Sequence, residues 1–419
     1  MFASIFFAVA APPLNATEIE QRVSLLITDE RMQHAKRALS SQRDWTNEQM
    51  VAINEIPAPP FGEQARANDV AARLRATFAV DVSLDEIGNV IALHKGAVGA
   101  RTIAVVAHLD TVFPADTDVS VQRVGDVFTA PGIGDNARGV AMLLALSAAI
   151  SKAELTFRDN VLFIGSVGEE GLGDLRGVRA LFGDDGPDID AFIAIDGGKL
   201  ERLVTSAVGS HRYRVSVKGP GGHSFGHFGR ANPHHALASA ITLFRTAAQE
   251  ITNAEGAKAT FSVGRIGGGT SINSIAFESW MEIDLRSVDQ TRLDRLDAAL
   301  MRSVTDALEI ENGQRTRGDA LTVSIDSVGR RPAGQQDAKQ PLIQRAIAAQ
   351  RLLGLEPVLI ASSTDANIPI ALGIPAVTIA RGGLSRNAHA LNESWEDRDT
   401  LRSEWFALLL IAAEAGLVN

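Results

Sequence analysis

The sequence predicts an α/β protein: a mixed, largely parallel sheet flanked by helices, with an inserted βαββαβ unit of the ferredoxin-like kind. Three observations carry this. Between about residues 80 and 200, short β-branched runs alternate with helical patterns, the rhythm of strands joined by helical crossovers. The runs 102–107, 160–167 and 191–195 each lead into side chains able to hold a metal ion, and open α/β sheets build their sites at the carboxyl ends of strands. Between 207 and 330 the order becomes strand (211–218), helix (233–250), strand (259–266), strand (274–285), helix (290–311) and strand (321–328), which can close as four strands with two helices on one face.

From the amino end, 18–50 reads as helical and mixed in charge, Pro57-Ala58-Pro59-Pro60 breaks the pattern, and a helix follows over 64–77. The strand 102–107 runs into His108-Leu109-Asp110. A glycine-dense turn, Pro131 to Asn136, opens an apolar helix over 140–149. The strand 160–167 leads to Glu169-Glu170, 191–195 to Asp196, and a fourth strand, 376–380, feeds the glycine-rich loop that carries His389. The expected division is 1–206 and 331–419 for the larger unit and 207–330 for the insert.

Composition narrows the partners. A chain of 419 residues suggests two or three folding units, and 45% hydrophobic residues allow a large core. A formal charge of −10 argues against nucleic acid or anionic lipid, which call for clustered Lys and Arg. With no cysteine, disulfides and thiolate ligands are excluded, so any metal must take His, Asp or Glu. No apolar run is expected to approach the ~20 residues that span a bilayer, so no membrane role is expected. The run 2–11, ending near Ala8-Val9-Ala10, has the texture of a signal segment within 1–16, yet no Lys or Arg precedes it. Export and a cytoplasmic location stand as equal alternatives.

The chemistry rests on a combination. His108 and Asp110, two apart after a strand, face one side, so Asp110 can orient the imidazole of His108 as a ligand. Asp135 is presented by a glycine turn at a helix start, where an ordinary N-cap is the competing reading. Adjacent Glu169 and Glu170 would repel one another if desolvated without a cation; with one, a natural division is Glu170 as ligand and Glu169 as general base. Asp196 before Gly197-Gly198 is otherwise a turn residue, and His389 otherwise a surface histidine. Singly, each is as readily structural. Together, five N or O donors fall at strand ends of one sheet. Three carboxylates among them suit two divalent ions, zinc first and cobalt or manganese as alternatives.

The motifs Ala107-His108-Leu109-Asp110-Thr111-Val112, Gly134-Asp135-Asn136, Gly168-Glu169-Glu170-Gly171, Asp196 and His389 resemble the two-metal metallopeptidase and amidohydrolase family of glutamate carboxypeptidase, aminoacylase, succinyl-diaminopimelate desuccinylase and peptidase T. The likeness runs from about Glu55 to the end. The stretch 168–177 is closest to peptidase T-like members. The resemblance implies that Asp135 is shared by two ions, His108 and Asp196 completing one position and Glu170 and His389 the other, with Glu169 as general base and acid and Asp110 as catalytic support. It implies that the insert is a lid and dimerisation domain, that His223 in Gly219-Pro220-Gly221-Gly222-His223-Ser224 steadies an oxyanion, in dimers from the partner subunit, and that Asn273 and Arg286 contact substrate. A local His-rich metal site is the rival reading for His223, His227, His234 and His235, and an ion pair with Asp284 the rival for Arg286. Thr364-Asp365 and Gly382-Gly383 resemble loops lining the pocket. The expected partner is a small peptide or N-acyl amino acid, and the expected assembly a homodimer. The alternatives are a relative that binds such a ligand without cleaving it, and a phosphohydrolase, which would need a phosphate cradle that is not evident.

Overall fold

The computed structural model describes residues 15–77 and 81–418. The apolar run 2–11 and most of the expected signal segment lie outside the described residues.

The helical stretch 18–50 divides into three helices, Ala16–Thr28, Glu30–Ser41 and Arg43–Asn54. Asn15 caps the first through a reciprocal box with Glu18, both bonds 3.0 Å. Asp29 starts the second by accepting the N–H groups of Arg31 at 2.9 Å and Met32 at 3.2 Å. Helix Gln64–Thr77 has the expected bounds.

Among the described residues, nine strands form the large sheet. Its order is Val82–Leu84, Val90–His94, Asn160–Ser166, Thr102–His108, Ala191–Ile195, Ala376–Ile379, Arg202–Ala207 and Gly334–Gln335, with Val358–Ser362 also paired to Arg202–Ala207. The centre is parallel: Thr102–His108 pairs with Asn160–Ser166 and Ala191–Ile195, and Ala376–Ile379 with Ala191–Ile195. Antiparallel pairs flank it, so the sheet is mixed. Both faces are covered. Ile103, Val105 and Ala107 join the core built with Val70, Leu146 and Leu409, whereas Ala104 and Val106 join Val178, Leu181 and Ile368 on the other face. This alternation is the period-two geometry of a strand between two helical layers.

Helix Gly139–Lys152 lies almost wholly inside. With the preceding turn it forms a segment, Ile133–Lys152, long and apolar enough to cross a bilayer, which corrects the expectation that no such run exists. Of its most apolar window 94% is buried within the protein, the position of a core helix.

After Ala207 the chain enters a second sheet of order Ala259–Gly268, Glu278–Ser287, Gly209–Lys218 and Thr322–Arg331, antiparallel throughout. Along Glu278–Ser287 burial alternates strictly, and Met281, Ile283 and Leu285 pack with Leu237 and Phe244 of helix Pro233–Thr252 and Leu296 and Leu300 of helix Gln290–Gln314. The expected strand 274–285 is interrupted: Ser274–Ile275 pairs instead with Gly222–His223. The chain rejoins the large sheet at Gly334. A small sheet of Leu384–Arg386, Ser394–Glu396, Val127–Thr129 and Gln122–Val124 ties the loop before Asp135 to the loop bearing His389.

Candidate metal centre

Parallel strands ending at one edge bring distant residues together. His108 closes strand Thr102–His108, Glu169 and Glu170 follow Asn160–Ser166, Asp196 follows Ala191–Ile195, and Arg381 lies two past Ala376–Ile379. His108 Nε2 stands 3.2 Å from Asp135 Oδ1. His389 Nε2 stands 2.9 Å from Glu170 Oε1 and 3.4 Å from Asp135 Oδ2. Donor atoms of His108, Asp135 and Glu170 all lie within 4.8 Å of one another, close enough to hold one ion. Asp196 shares the same cavity but stands behind Arg381, whose Nη1 is 2.8 Å from Asp196 Oδ1 and 3.1 Å from Asp135 Oδ1. Four of the five expected ligands, Asp135, Glu170, Asp196 and His389, line one cavity with an unexpected guanidinium, and His108 stands against Asp135 behind its wall.

Local folding explains the presentation. Asp135 lies in a tight turn between Gly132, at φ 82°, and Gly139, where an added Cβ would fall 2.1 Å from Asn136 Oδ1. Buried Glu393 clamps that turn by accepting the N–H groups of Gly132 at 2.9 Å, Gly134 at 3.0 Å and Asp135 at 2.8 Å. Removing the clamp strands three amide donors. Glu393→Ala is expected to cost on the order of 3–5 kcal/mol, read as a lowered denaturation midpoint, and to weaken metal binding through a loosened Asp135. A variant with unchanged midpoint and metal content contradicts this clamp.

His108 donates from Nδ1 to the main-chain carbonyl of Asp110 at 3.1 Å, which turns Nε2 towards Asp135. The Asp110 carboxylate is not the hydrogen-bond partner expected for His108, lying 3.6 Å from Nδ1. Both its oxygens are occupied instead by the N–H groups of Glu169, at 2.9 Å, and Glu170, at 2.7 Å. Asp110 thus holds the backbone of the acidic pair, and its carboxylate approaches the imidazole at 3.6 Å and, against the burial that lowers it, raises its pKa.

Electrostatics divide the acids. Burial pushes the Asp135 carboxyl upward, but Arg381, His108 and His389 outweigh it and hold it well below the usual range. Asp196 is raised by burial and by Asp135. Asp135 and Glu170 raise His389 to about 10. Glu169 is raised well above an ordinary carboxyl, by burial first, with Arg331 opposing. Arg331 Nη1 donates to Glu169 Oε1 at 2.9 Å, and its Nη2 to the Glu169 carbonyl. The paired glutamates are therefore split, Glu170 towards His389 and Glu169 towards Arg331.

The cavity has a volume of about 590 Å³, and its lining includes Lys199, Arg202, Arg212 and Arg286. Arg286 makes the ion pair of its rival reading, Nε to Asp284 Oδ2 at 2.6 Å, and also lines the cavity. Thr364 lines the cavity too; Asp365 is buried against Ser166 and raised to about 6, chiefly by desolvation. His223 and Asn273 are not brought to the cavity within the chain. Both are exposed: His223 ends the strand Gly222–His223, which pairs with Ser274–Ile275, and Asn273 immediately precedes the latter.

Arg331, Arg381 and Glu393 escaped sequence reading. Arg381 carried a usable signal, a charge straight after an apolar strand, but arginine is no metal ligand. Arg331 comes from the end of the second sheet and had none.

No curated protein matches the chain significantly. Among solved structures, aminopeptidase PepT from Bacillus cereus is 18% identical, TM-score 0.71, over 90% of this chain and 98% of that one. A tripeptidase from Staphylococcus aureus is 20% identical, TM-score 0.69, over 88% and 98%. A dinuclear metal-binding peptidase of the M20 family from Bacillus subtilis is 18% identical, TM-score 0.63, over 90% and 99%. At these identities the likeness is one of fold. The sequence profile of Peptidase family M20/M25/M40 matches residues 104–408, which contain every candidate ligand. The chain therefore belongs to Peptidase family M20/M25/M40 and is an enzyme of that metal-dependent peptidase and amidohydrolase class.

Proposed function

We propose that the protein hydrolyses an amide or peptide bond in a small peptide or N-acyl amino acid, with Glu169 as general base and acid. The observation that carries this is the split of the glutamate pair: Glu170 faces the ligand cluster, while Glu169, buried in the same cavity wall, is held by Arg331. The imidazole and carboxylate donors fit divalent ions, zinc above all and cobalt or manganese as alternatives. His108, Asp135 and Asp196 would hold one, and Asp135, Glu170 and His389 a second. When bound, such ions polarise a scissile carbonyl and acidify a water.

The chain's own residues supply the rest. Arg331 fixes one Glu169 oxygen; the other takes a proton from the attacking water and passes it to the leaving amine. Burial raises that carboxyl above its ordinary range, the direction that favours holding a proton between the two transfers. Arg286, with Arg212 beside Asp284, offers bidentate capture of a substrate carboxylate; Asn273, beside His223, would add a polar contact only to a partner's cavity.

We read 1–206 and 331–419 as the catalytic domain and 207–330 as a lid and dimerisation domain. Its exposed His223 would then reach a partner's cavity and support the oxyanion. Phe225, Phe228, Ile272 and Phe277, all exposed on that part of the second unit, favour such a pairing.

The test is hydrolysis by zinc- or cobalt-loaded protein of N-acyl amino acids, dipeptides and tripeptides, read as free amine. Release that a chelator abolishes is expected. Bound metal with no amine from any of the three classes would instead favour a ligand-binding relative without catalysis.

A further inference from the structure

The cavity carries more positive charge than one substrate carboxylate uses. Its acids, Asp135, Glu169, Glu170 and Asp196, are the proposed ligands and general base. Four cations stand apart from them in the lining: Lys199, Arg202, Arg212 and Arg286. Arg212 and Arg286 hold Asp284 between them, Nε to Oδ1 at 3.0 Å and Nε to Oδ2 at 2.6 Å. Two guanidinium groups on one carboxylate leave a single positive charge, which the substrate carboxylate already assigned to Arg286 neutralises. Lys199 and Arg202 make no ion pair and no side-chain hydrogen bond among the described residues. Glu201, between them in sequence, does not line the cavity.

The backbone that carries these two cations is fixed. It leaves the strand ending at Ile195 and enters the strand Arg202–Ala207 of the same sheet. On the way the Arg381 N–H donates to the Gly197 carbonyl at 3.1 Å, the Arg202 N–H to the Lys199 carbonyl at 3.0 Å and the Val358 N–H to the Glu201 carbonyl at 2.8 Å. Gln350, buried, donates from Nε2 to the Leu200 carbonyl at 2.7 Å. Arg202 and Val204 then line the cavity while Leu203 joins the core behind the sheet, the alternation of a strand. The parallel partner Val358–Ser362 adds Ile360 and Ser362 to the same wall. Strand phase therefore sets Arg202 in the wall, and the turn after Asp196 sets Lys199 there.

The accumulation is local, since the whole chain carries a formal charge of −10. Both side chains are exposed, so water screens them. A ligand that covers them displaces that water, and an anionic group on it gains from both at once. An uncharged group of the same shape would desolvate two cations and answer neither.

Resting on the hydrolase reading above, we propose that Lys199 and Arg202 form a second anion subsite, so that the favoured substrate carries a carboxylate beyond the one that Arg286 takes. Such a group is the side chain of an acidic residue in a short peptide or the free end of a dicarboxylic acyl group on an amino acid. A carboxylate has two oxygens, enough to accept from an ammonium and a guanidinium together.

The test compares substrates that differ by one charge, using zinc-loaded full-length protein and released amine as the readout. The pairs are glutamyl-alanine against glutaminyl-alanine, alanyl-glutamate against alanyl-glutamine, and N-glutaryl-alanine against its terminal amide. In at least one pair kcat/KM is expected to be about 10-fold or more higher for the acid, and the pair that shows it identifies which part of the substrate supplies the anion. That ratio is expected to shrink as sodium chloride is raised from about 0.05 M to about 0.5 M. Joint Lys199→Ala and Arg202→Ala substitution is expected to bring it near one, and joint Lys199→Glu and Arg202→Glu substitution to invert it. A wild-type ratio near one in every pair would overturn the proposal, as would a ratio that survives the double alanine variant. No turnover of any of these compounds would overturn the hydrolase reading instead. Titration calorimetry of the same pairs then decides the subsite by itself: acids that bind wild-type protein no tighter than their amides overturn it, and tighter binding that the double alanine variant loses upholds it.

Discussion

Glu169→Gln is expected to lower kcat by at least ~10³-fold, near the upper end of what one acid–base group supplies, because the same carboxylate takes the water's proton and returns it to the amine. KM and metal content are expected to stay close to wild type. The substitution keeps shape and a carbonyl oxygen for Arg331 Nη1, now 2.9 Å from Glu169 Oε1, and Glu169 is not part of the 4.8 Å donor cluster. Steady-state kinetics with an N-acyl amino acid or short peptide, alongside elemental analysis of the same sample, checks both halves. A metal-replete Glu169→Gln enzyme that turns over at the wild-type rate would remove Glu169 from the mechanism. If activity and metal are lost together, Glu169 acts as a ligand and the division of labour with Glu170 is wrong.

Asp135→Ala carries the second large effect. Asp135 is the acid that both histidines and Arg381 approach, through Oδ1 for His108 and Arg381 and through Oδ2 for His389. Its removal is expected to empty the centre and reduce turnover below detection. It also leaves His108 and Arg381 short of a counter-charge in a buried setting, with a stability cost of about 3 kcal/mol, the low end for a broken buried pair because Asp196 still holds Arg381. Dialysis against zinc followed by elemental analysis reads the first effect, and a denaturant midpoint the second. An Asp135→Ala protein that still binds its full complement of metal would show that Asp135 is not the shared ligand.

The two substitutions separate chemistry from assembly. Glu169→Gln keeps the centre and stops the reaction; Asp135→Ala removes the centre and makes the reaction impossible. Glu393→Ala falls between, since it loosens the turn that presents Asp135 without touching a donor atom.

Much of this was legible in the chain. Strands buried on both faces announce themselves by apolar runs, and the charged residue that ends such a run has few places to go but the open edge of the sheet. That is why His108, Glu169, Glu170 and Asp196 could be placed before any coordinates. His389 was harder, since its loop returns from a separate small sheet and its backbone adopts φ 67°, a conformation no propensity foretells. The three-way division of 18–50 rests on breaks at Asp29 and Gln42, and the interruption near Ser274 on the pairing of Ser274–Ile275 with Gly222–His223, neither of which hydrophobic periodicity marks.

What the sequence determined by itself was the strand-and-helix alternation and the chemical class of the candidate donors, because burial and ligand type are properties of residues in order. Only the tertiary structure decided which groups neutralise which. Arg331 meets Glu169 across 162 positions, Arg381 meets Asp135 across 246, and Glu393 meets Asp135 across 258. Pairings at that separation are set by how sheets and loops close on one another, and electrostatic energy depends on distance in space, on which spacing along the chain is silent.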